Sequence, residues 1–317
     1  MKFVDRWVAF WFRPAVCFDL ALLRLVLVAL QCFVLLSYNF PALSYVLGLP
    51  EYLYEPQLIL KILALPIGGA FLPDPATMIG LFWVTFLLGL LAFVGLFTNF
   101  SLILFALFNI VIQAFTYSFG DVHHPEAIMM LALIALAISP SGRVMSLDSW
   151  LRGRRQRQGA EHESTALLEL KDSYARWPLL FLQLFFPLMY LSAVVSKLTR
   201  GGLEWANGIS LQYYMILEAY KNESDLALYV SQFHNFLKFA EVIVLFFQAT
   251  FFLILFFPRL KWIYLPLGLS FHIIIYVTLR APFPQWIVLY MIYIPWAAVF
   301  AWLASHRIPE LAPKARN

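Results

Sequence analysis

A lysine and several histidines in this sequence sit inside or at the ends of long apolar runs, where an ionisable side chain is costly and reads first as functional. Lys197 closes the run 177–198, His123 and His124 open 124–140, His272 lies within 261–279 and Glu241 within 235–257. At about 1.5 Å per residue, His272 falls roughly 16 Å into its run and Glu241 roughly 9 Å into its own. With the topology derived below, four separate helices send titratable groups to the same leaflet. Such a set suits proton transfer. A lysine held where water is scarce yields a neutral amine that can take a proton, and histidines can hold a developing oxyanion by hydrogen bonds.

Each residue also has a plainer reading. Lys197 can snorkel to the headgroups, and His272 can be a core histidine bonded to a neighbouring helix. Glu241 has Lys238 one turn away, which favours a local ion pair. Asn109, Gln113 and Tyr117 recur every fourth residue as a stripe facing the bundle interior, where polar groups join helices as often as they line a cavity. Arg24, nearer the inner side, needs a carbonyl or side chain from a neighbouring helix. Asp19 is a poor local partner for it, standing roughly 140° around the helix. His123, Glu126, His234 and His272 could in principle ligate a metal, but HHPE is not the HExxH spacing and no metal is expected. No nucleophile elbow, phosphate loop or dinucleotide fingerprint occurs.

The elements that must position these groups follow from composition. Charged residues make up 13% of the 317, against about 25% in a soluble domain, and hydrophobic residues 62%. Water is therefore not the main solvent. Eight runs approach the roughly 20 apolar residues a spanning helix needs: 17–37, 78–97, 100–117, 124–140, 177–198, 235–257, 261–279 and 284–304. The expected fold is an all-α, polytopic integral membrane bundle of one domain, 1–317. Interfacial or re-entrant helices are expected at Leu58–Leu72, broken by Pro66, Gly68 and Gly69, and at Trp205–Leu217. The start mixes Trp7, Phe10, Trp11 and Phe12 with Asp5, Arg6 and Arg13, which reads as an amphipathic interfacial helix and not a cleavable signal.

Most of the 22 Lys and Arg fall on one side if both termini are cytoplasmic, and RGRRQRQ at 152–158 dominates that side. The loop 141–176 is then cytoplasmic, and membrane lipid, not nucleic acid, is the partner of these charges. Cys17 and Cys32 lie roughly 22 Å apart on one helix, so they cannot form a disulfide with each other.

Two stretches carry a family resemblance. The first is HHPEAIMMLALIALAISPSGRVMSLDSW, 123–150, where a histidine opens a helix that ends in SPSGR and SLD. The second is YLSAVVSKLTRGGLEWANG, 190–208. Together they resemble the horizontally transferred transmembrane (HTTM) domain family, which includes the vitamin K-dependent gamma-carboxylases. FDLALLRLVLVAL with Arg24 and SFHIIIY around His272 extend the likeness over essentially the whole chain.

The resemblance implies an outward-facing site in a bacterial inner (plasma) membrane. There a reduced quinone, as reduced vitamin K or menaquinol, would react with dioxygen and carbon dioxide. It makes Lys197 the base, with His124 and His272 positioning the oxygens. Tyr190 and Trp205 of the same block, with Arg24, Asn109 and Gln113, are the candidates for binding substrate or cofactor. Animal carboxylases add a large lumenal region that grips the peptide; the outer loops here, 38–77 and 199–234, have no comparable length. The alternative is a non-enzymatic membrane maturation or binding factor for a secreted peptide or a lipid. A transporter is the weakest reading, because neither an inverted repeat nor a chain of carboxylates is visible.

Overall fold

The computed structural model describes residues 3–67, 72–120, 125–156 and 164–307. Among the described residues, the regular structure is helical apart from one two-residue antiparallel ladder, in which Ala15 faces Asp172 and Val16 faces Lys171. Among the described residues, six helices are long and apolar enough to cross a membrane: Cys17–Val46, Pro75–Val94, Thr98–Tyr117, Arg176–Ala206, His234–Leu255 and Pro258–Leu279. The protein is an all-α, multi-pass membrane protein. Two compact units make up the chain: residues 1–180 with 291–317, and residues 181–290.

Two of the eight expected spans differ. The run 124–140 yields only Pro125–Ala137, 13 residues. Its end is fixed by the approach to Pro140 and by hydroxyl caps. Ser139 and Ser141 donate to the Leu136 carbonyl at 2.8 and 2.9 Å, and the Asn99 amide donates to the Ala137 and Ser139 carbonyls at 2.6 and 2.9 Å. The run 284–304 is interrupted. A helix over Pro284–Leu289 runs into a tight turn at Tyr290–Tyr293, and a new helix begins at Trp296–Arg307, after Pro295. In Cys17–Val46 the helix widens into a π turn at Leu35–Asn39 ahead of Pro41, whose nitrogen cannot donate to the ladder.

The larger unit is organised around Arg24, which is fully buried. Its Nη1 donates to the Ala92 and Phe93 carbonyls at 2.6 and 2.8 Å, its Nε to the Ser141 carbonyl at 3.2 Å, and its Nη2 to the Met145 carbonyl. Ala92 and Phe93 lie in the last turn of Pro75–Val94, where carbonyls lack intrahelical donors. A guanidinium there meets both the orphan acceptors and the negative end of the helix dipole. Gly95 permits this approach. It holds φ +73°, and a Cβ on it would lie 2.4 Å from Ser146 Cβ and 3.0 Å from Arg24 Nη1.

The following helix, Thr98–Tyr117, has its first amides met by Asp148. The carboxylate accepts from Phe97 N at 2.9 Å, Thr98 N at 2.8 Å and the Thr98 hydroxyl at 2.7 Å, while Asp148 N donates back to the Gly95 carbonyl at 2.9 Å. The SLD segment is thus a cap for a helix fifty residues earlier. Burial pushes the Asp148 carboxyl upward. The bonds from Thr98 and Phe97, with Arg152 nearby, outweigh that and hold it below the ordinary carboxylate range. Further along this helix the buried Asn109 accepts from Gln31 at 2.8 Å, so the expected polar stripe does face the interior. Asp19 accepts from Ala297 N at 2.8 Å.

Replacing Arg24 with Met leaves four buried or partly buried carbonyls without their donor. We expect a loss of about 3 kcal/mol or more, read as a lower midpoint for thermal unfolding in detergent; an unchanged midpoint would contradict the clamp. Asp148→Asn is expected to cost about 1 kcal/mol at neutral pH. A depressed carboxyl contributes stability above its unfolded pKa and loses it as pH falls through its folded one. Wild type and Asp148→Asn should therefore converge in strongly acidic buffer, which pH-resolved unfolding midpoints would show.

Candidate functional site

The smaller unit, 181–290, holds the arrangement with chemical potential. In the Arg176–Gly201 helix, Phe186, Tyr190, Val194 and Lys197 form one stripe. Tyr190 and Lys197 are seven residues apart, within about 20° of the same face and roughly 10 Å along the axis. All but Lys197 are buried, and Lys197 is half-buried.

The inner part of the stripe is aromatic and hydroxylic. The Tyr190 hydroxyl lies 2.7 Å from His272 Nε2 and 2.8 Å from the Tyr290 hydroxyl. Around it pack Phe251 at 4.7 Å, Trp286 at 5.0 Å and Phe247 at 5.5 Å between ring centroids. The His272 ring has Phe271, Phe283 and Trp286 at 5.1, 5.6 and 5.8 Å. Gly268, one turn before His272, makes room for the Tyr290 phenol: a Cβ there would lie 1.8 Å from the Tyr290 hydroxyl. Among the described residues, His272 Nδ1 and Gln285 Oε1 are buried and have no hydrogen-bond partner. Orphaned buried polar atoms of this kind are rare and call for an explanation.

The outer part of the stripe is Lys197. Its ammonium nitrogen donates to Gln248 Oε1 at 2.9 Å and lies 5.6 Å from the centre of the Trp205 ring. Trp205 reaches it because Gly201 has no side chain; a Cβ there would meet Trp205 Cδ1 at 2.5 Å. Among the described residues Lys197 has no carboxylate partner, so its charge is met only by a neutral amide and a ring.

Four of the residues expected from sequence therefore gather in one unit, with Tyr190 on His272 and Lys197 on Trp205. Arg24, Asn109 and Gln113 belong to the larger unit, where the donors of Arg24 are taken up by carbonyls. His124 lies outside the described residues. Glu241 corrects the expected ion pair with Lys238. It is buried and accepts from Gly208 N at 2.6 Å and Leu211 N at 2.5 Å. The Ile209–Lys221 helix starts at a glycine, which offers no side-chain cap, so the carboxylate comes from another helix.

Gln248, Tyr290, Gly268 and Trp286 escaped the sequence reading. Only Gln248 left a signal, as an amide inside VLFFQATFFL. Among the described residues no three His, Cys, Asp or Glu side chains come close enough to hold a metal.

Gly268→Ala should force Tyr290 away from Tyr190 and overpack the unit, costing about 1–3 kcal/mol. A thermal midpoint equal to that of wild type would contradict the close approach. No family model, curated protein or solved structure matches the chain.

Proposed function

We propose that this protein is a membrane enzyme resembling the vitamin K-dependent gamma-carboxylases, acting on a reduced quinone at an outward-facing intramembrane site. The observation that carries the reading is the environment of Lys197. A half-buried lysine held by a neutral amide and an indole face keeps its amine available for proton transfer, whereas a carboxylate partner would fix it as an ammonium. The sequence block YLSAVVSKLTRGGLEWANG places Lys197 where the resembling family has its base.

The residues nearby fit a planar quinol. Aromatic rings supply flat apolar walls, and the unfilled Nδ1 of His272 supplies one polar contact. When bound, a reduced quinone would supply a phenolic proton and reducing electrons, with dioxygen as the oxidant. Lys197 takes the proton, Gln248 orients its amine, and His272 with Tyr190 holds an oxygen. Glutamate carboxylation with carbon dioxide and oxidation of a different substrate are both compatible outcomes. The outward placement, with both termini cytoplasmic, is supported by the Lys and Arg distribution when the eight expected runs are counted as crossings, and the bacterial inner membrane by the family resemblance alone.

The test is mass spectrometry of purified protein incubated with reduced naphthoquinone in air. Quinone epoxide is expected from wild type and from neither Lys197→Ala nor Lys197→Arg, because arginine stays protonated. Epoxide from Lys197→Arg at the wild-type level would remove the base. No epoxide from folded wild type would favour the maturation or binding factor.

A further inference from the structure

Three side-chain amides on two helices of the larger unit form a column whose polar atoms are only partly bonded. Asn109 Nδ2 donates to the Phe105 carbonyl at 2.7 Å, so Asn109 Oδ1 takes the Gln31 Nε2 donor at 2.8 Å and Gln31 Oε1 is left over. Among the described residues, Gln31 Oε1, Gln113 Nε2 and Asn39 Oδ1 are buried without a hydrogen-bond partner. Buried polar atoms are rarely left so, and three in one column call for an occupant.

The helices Cys17–Val46 and Thr98–Tyr117 end on the same side, because Tyr54, soon after the first, packs on Phe115 and Phe119 at 5.7 and 5.4 Å. Counted from the Gln31–Asn109 bond, Gln113 stands one turn further along, roughly 6 Å, and Asn39 two turns, roughly 12 Å. In an unbroken α-helix Asn39 would lie about 80° around from Gln31. The π turn at Leu35–Asn39 rotates less per residue and returns Asn39 toward the Gln31 face. Acceptor, donor and acceptor therefore alternate at one-turn steps.

We infer that Gln31, Gln113 and Asn39 hold a file of bound water that runs inward from the Tyr117 end of the larger unit. One water bridges two polar atoms about 5.6 Å apart, which matches each step, and it can both donate and accept. An apolar ligand would leave all three atoms unfilled, and the near-complete burial of the amides limits the occupant to molecules of water's size. Exposure rises from 0% at Gln31 to 6% at Gln113 and 7% at Asn39, so the file opens at the Tyr117 end. Glu126, whose buried Oε2 is also without a partner among the described residues, begins the next helix at that end. Gln31 then has two tasks, joining the helices through Nε2 and closing the file through Oε1. The file admits water, and with it exchangeable protons, to the depth of Asn109, and it is independent of the quinol reaction proposed above.

Hydroxyl-radical footprinting by X-ray radiolysis of the full chain in lipid nanodiscs tests this, because radicals formed from bound water mark the side chains beside it. Leu35, fully buried at the height of Gln113, is the reporter. Leu20 and Leu102, equally buried but on the far side of the Gln31–Asn109 bond, are the controls. Leu35 should be modified several-fold faster than either control, and Gln113→Leu should bring it down to their rate. Leu35 marked no faster than the controls in folded wild type overturns the file, and so does a rate unchanged in Gln113→Leu. A second measurement needs no variant. In wild type labelled with nitrogen-15 glutamine, the side-chain amide protons of Gln113 should receive magnetisation from water, and transfer seen at the exposed Gln232 but not at Gln113 overturns the file as well.

Discussion

The constraint on which this structure depends is that polar groups inside an apolar bundle must be satisfied by the chain itself, because neither lipid nor the packed interior offers water. Arg24 meets it most fully. One guanidinium serves the frayed end of Pro75–Val94 and the SPSGRVM turn, and Asp148 of the following SLD caps the start of Thr98–Tyr117. Glu241 meets it for Ile209–Lys221. In each case a buried charge completes a helix end, so its role is architectural. Among the described residues, Arg24, Asp148 and Glu241 keep no buried polar atom without a partner.

Lys197 and His272 stand apart from that rule. Among the described residues, Lys197 has a neutral partner where an ion pair would be the ordinary solution, and His272 keeps a buried nitrogen with no partner. Departures from local satisfaction are where function is expected to reside. The aromatic packing around them holds Tyr190, Tyr290 and the imidazole in fixed relation, so the departure is held in place by the surrounding side chains and is not slack.

Much of the fold was legible from hydropathy. The expected runs 78–97, 100–117 and 177–198 fall on Pro75–Val94, Thr98–Tyr117 and Arg176–Gly201, because length and apolarity are local properties of sequence. Asn109 and Gln113 were legible as inward-facing from their spacing. The interruptions were less so. Pro140 and Pro295 are visible, but hydropathy averages across them, and the caps that end Pro125–Ala137 come partly from Asn99 in another helix.

The candidate site was half legible. Lys197, Tyr190, Trp205 and His272 stand out as polar or interfacial residues in apolar runs. Gln248 and Tyr290 pair with them across 51 and 100 residues, a separation that no spacing rule bridges. Arg24 was visible but not its partners, since backbone carbonyls have no residue type. Glu241 was misread because Lys238 is close in sequence, while the missing cap at Gly208 is close only in space. We propose that residues 181–290 form a quinol site around Lys197 and His272. Photolabelling with a light-activated naphthoquinone in nanodiscs, followed by peptide mapping, tests it most directly. Labels confined to peptides containing Tyr190–Trp205, Phe247–Phe251 and Gly268–Tyr290, and displaced by unlabelled naphthoquinone, are the expected result. Labelling spread over the lipid-facing helices and indifferent to competitor would contradict the account.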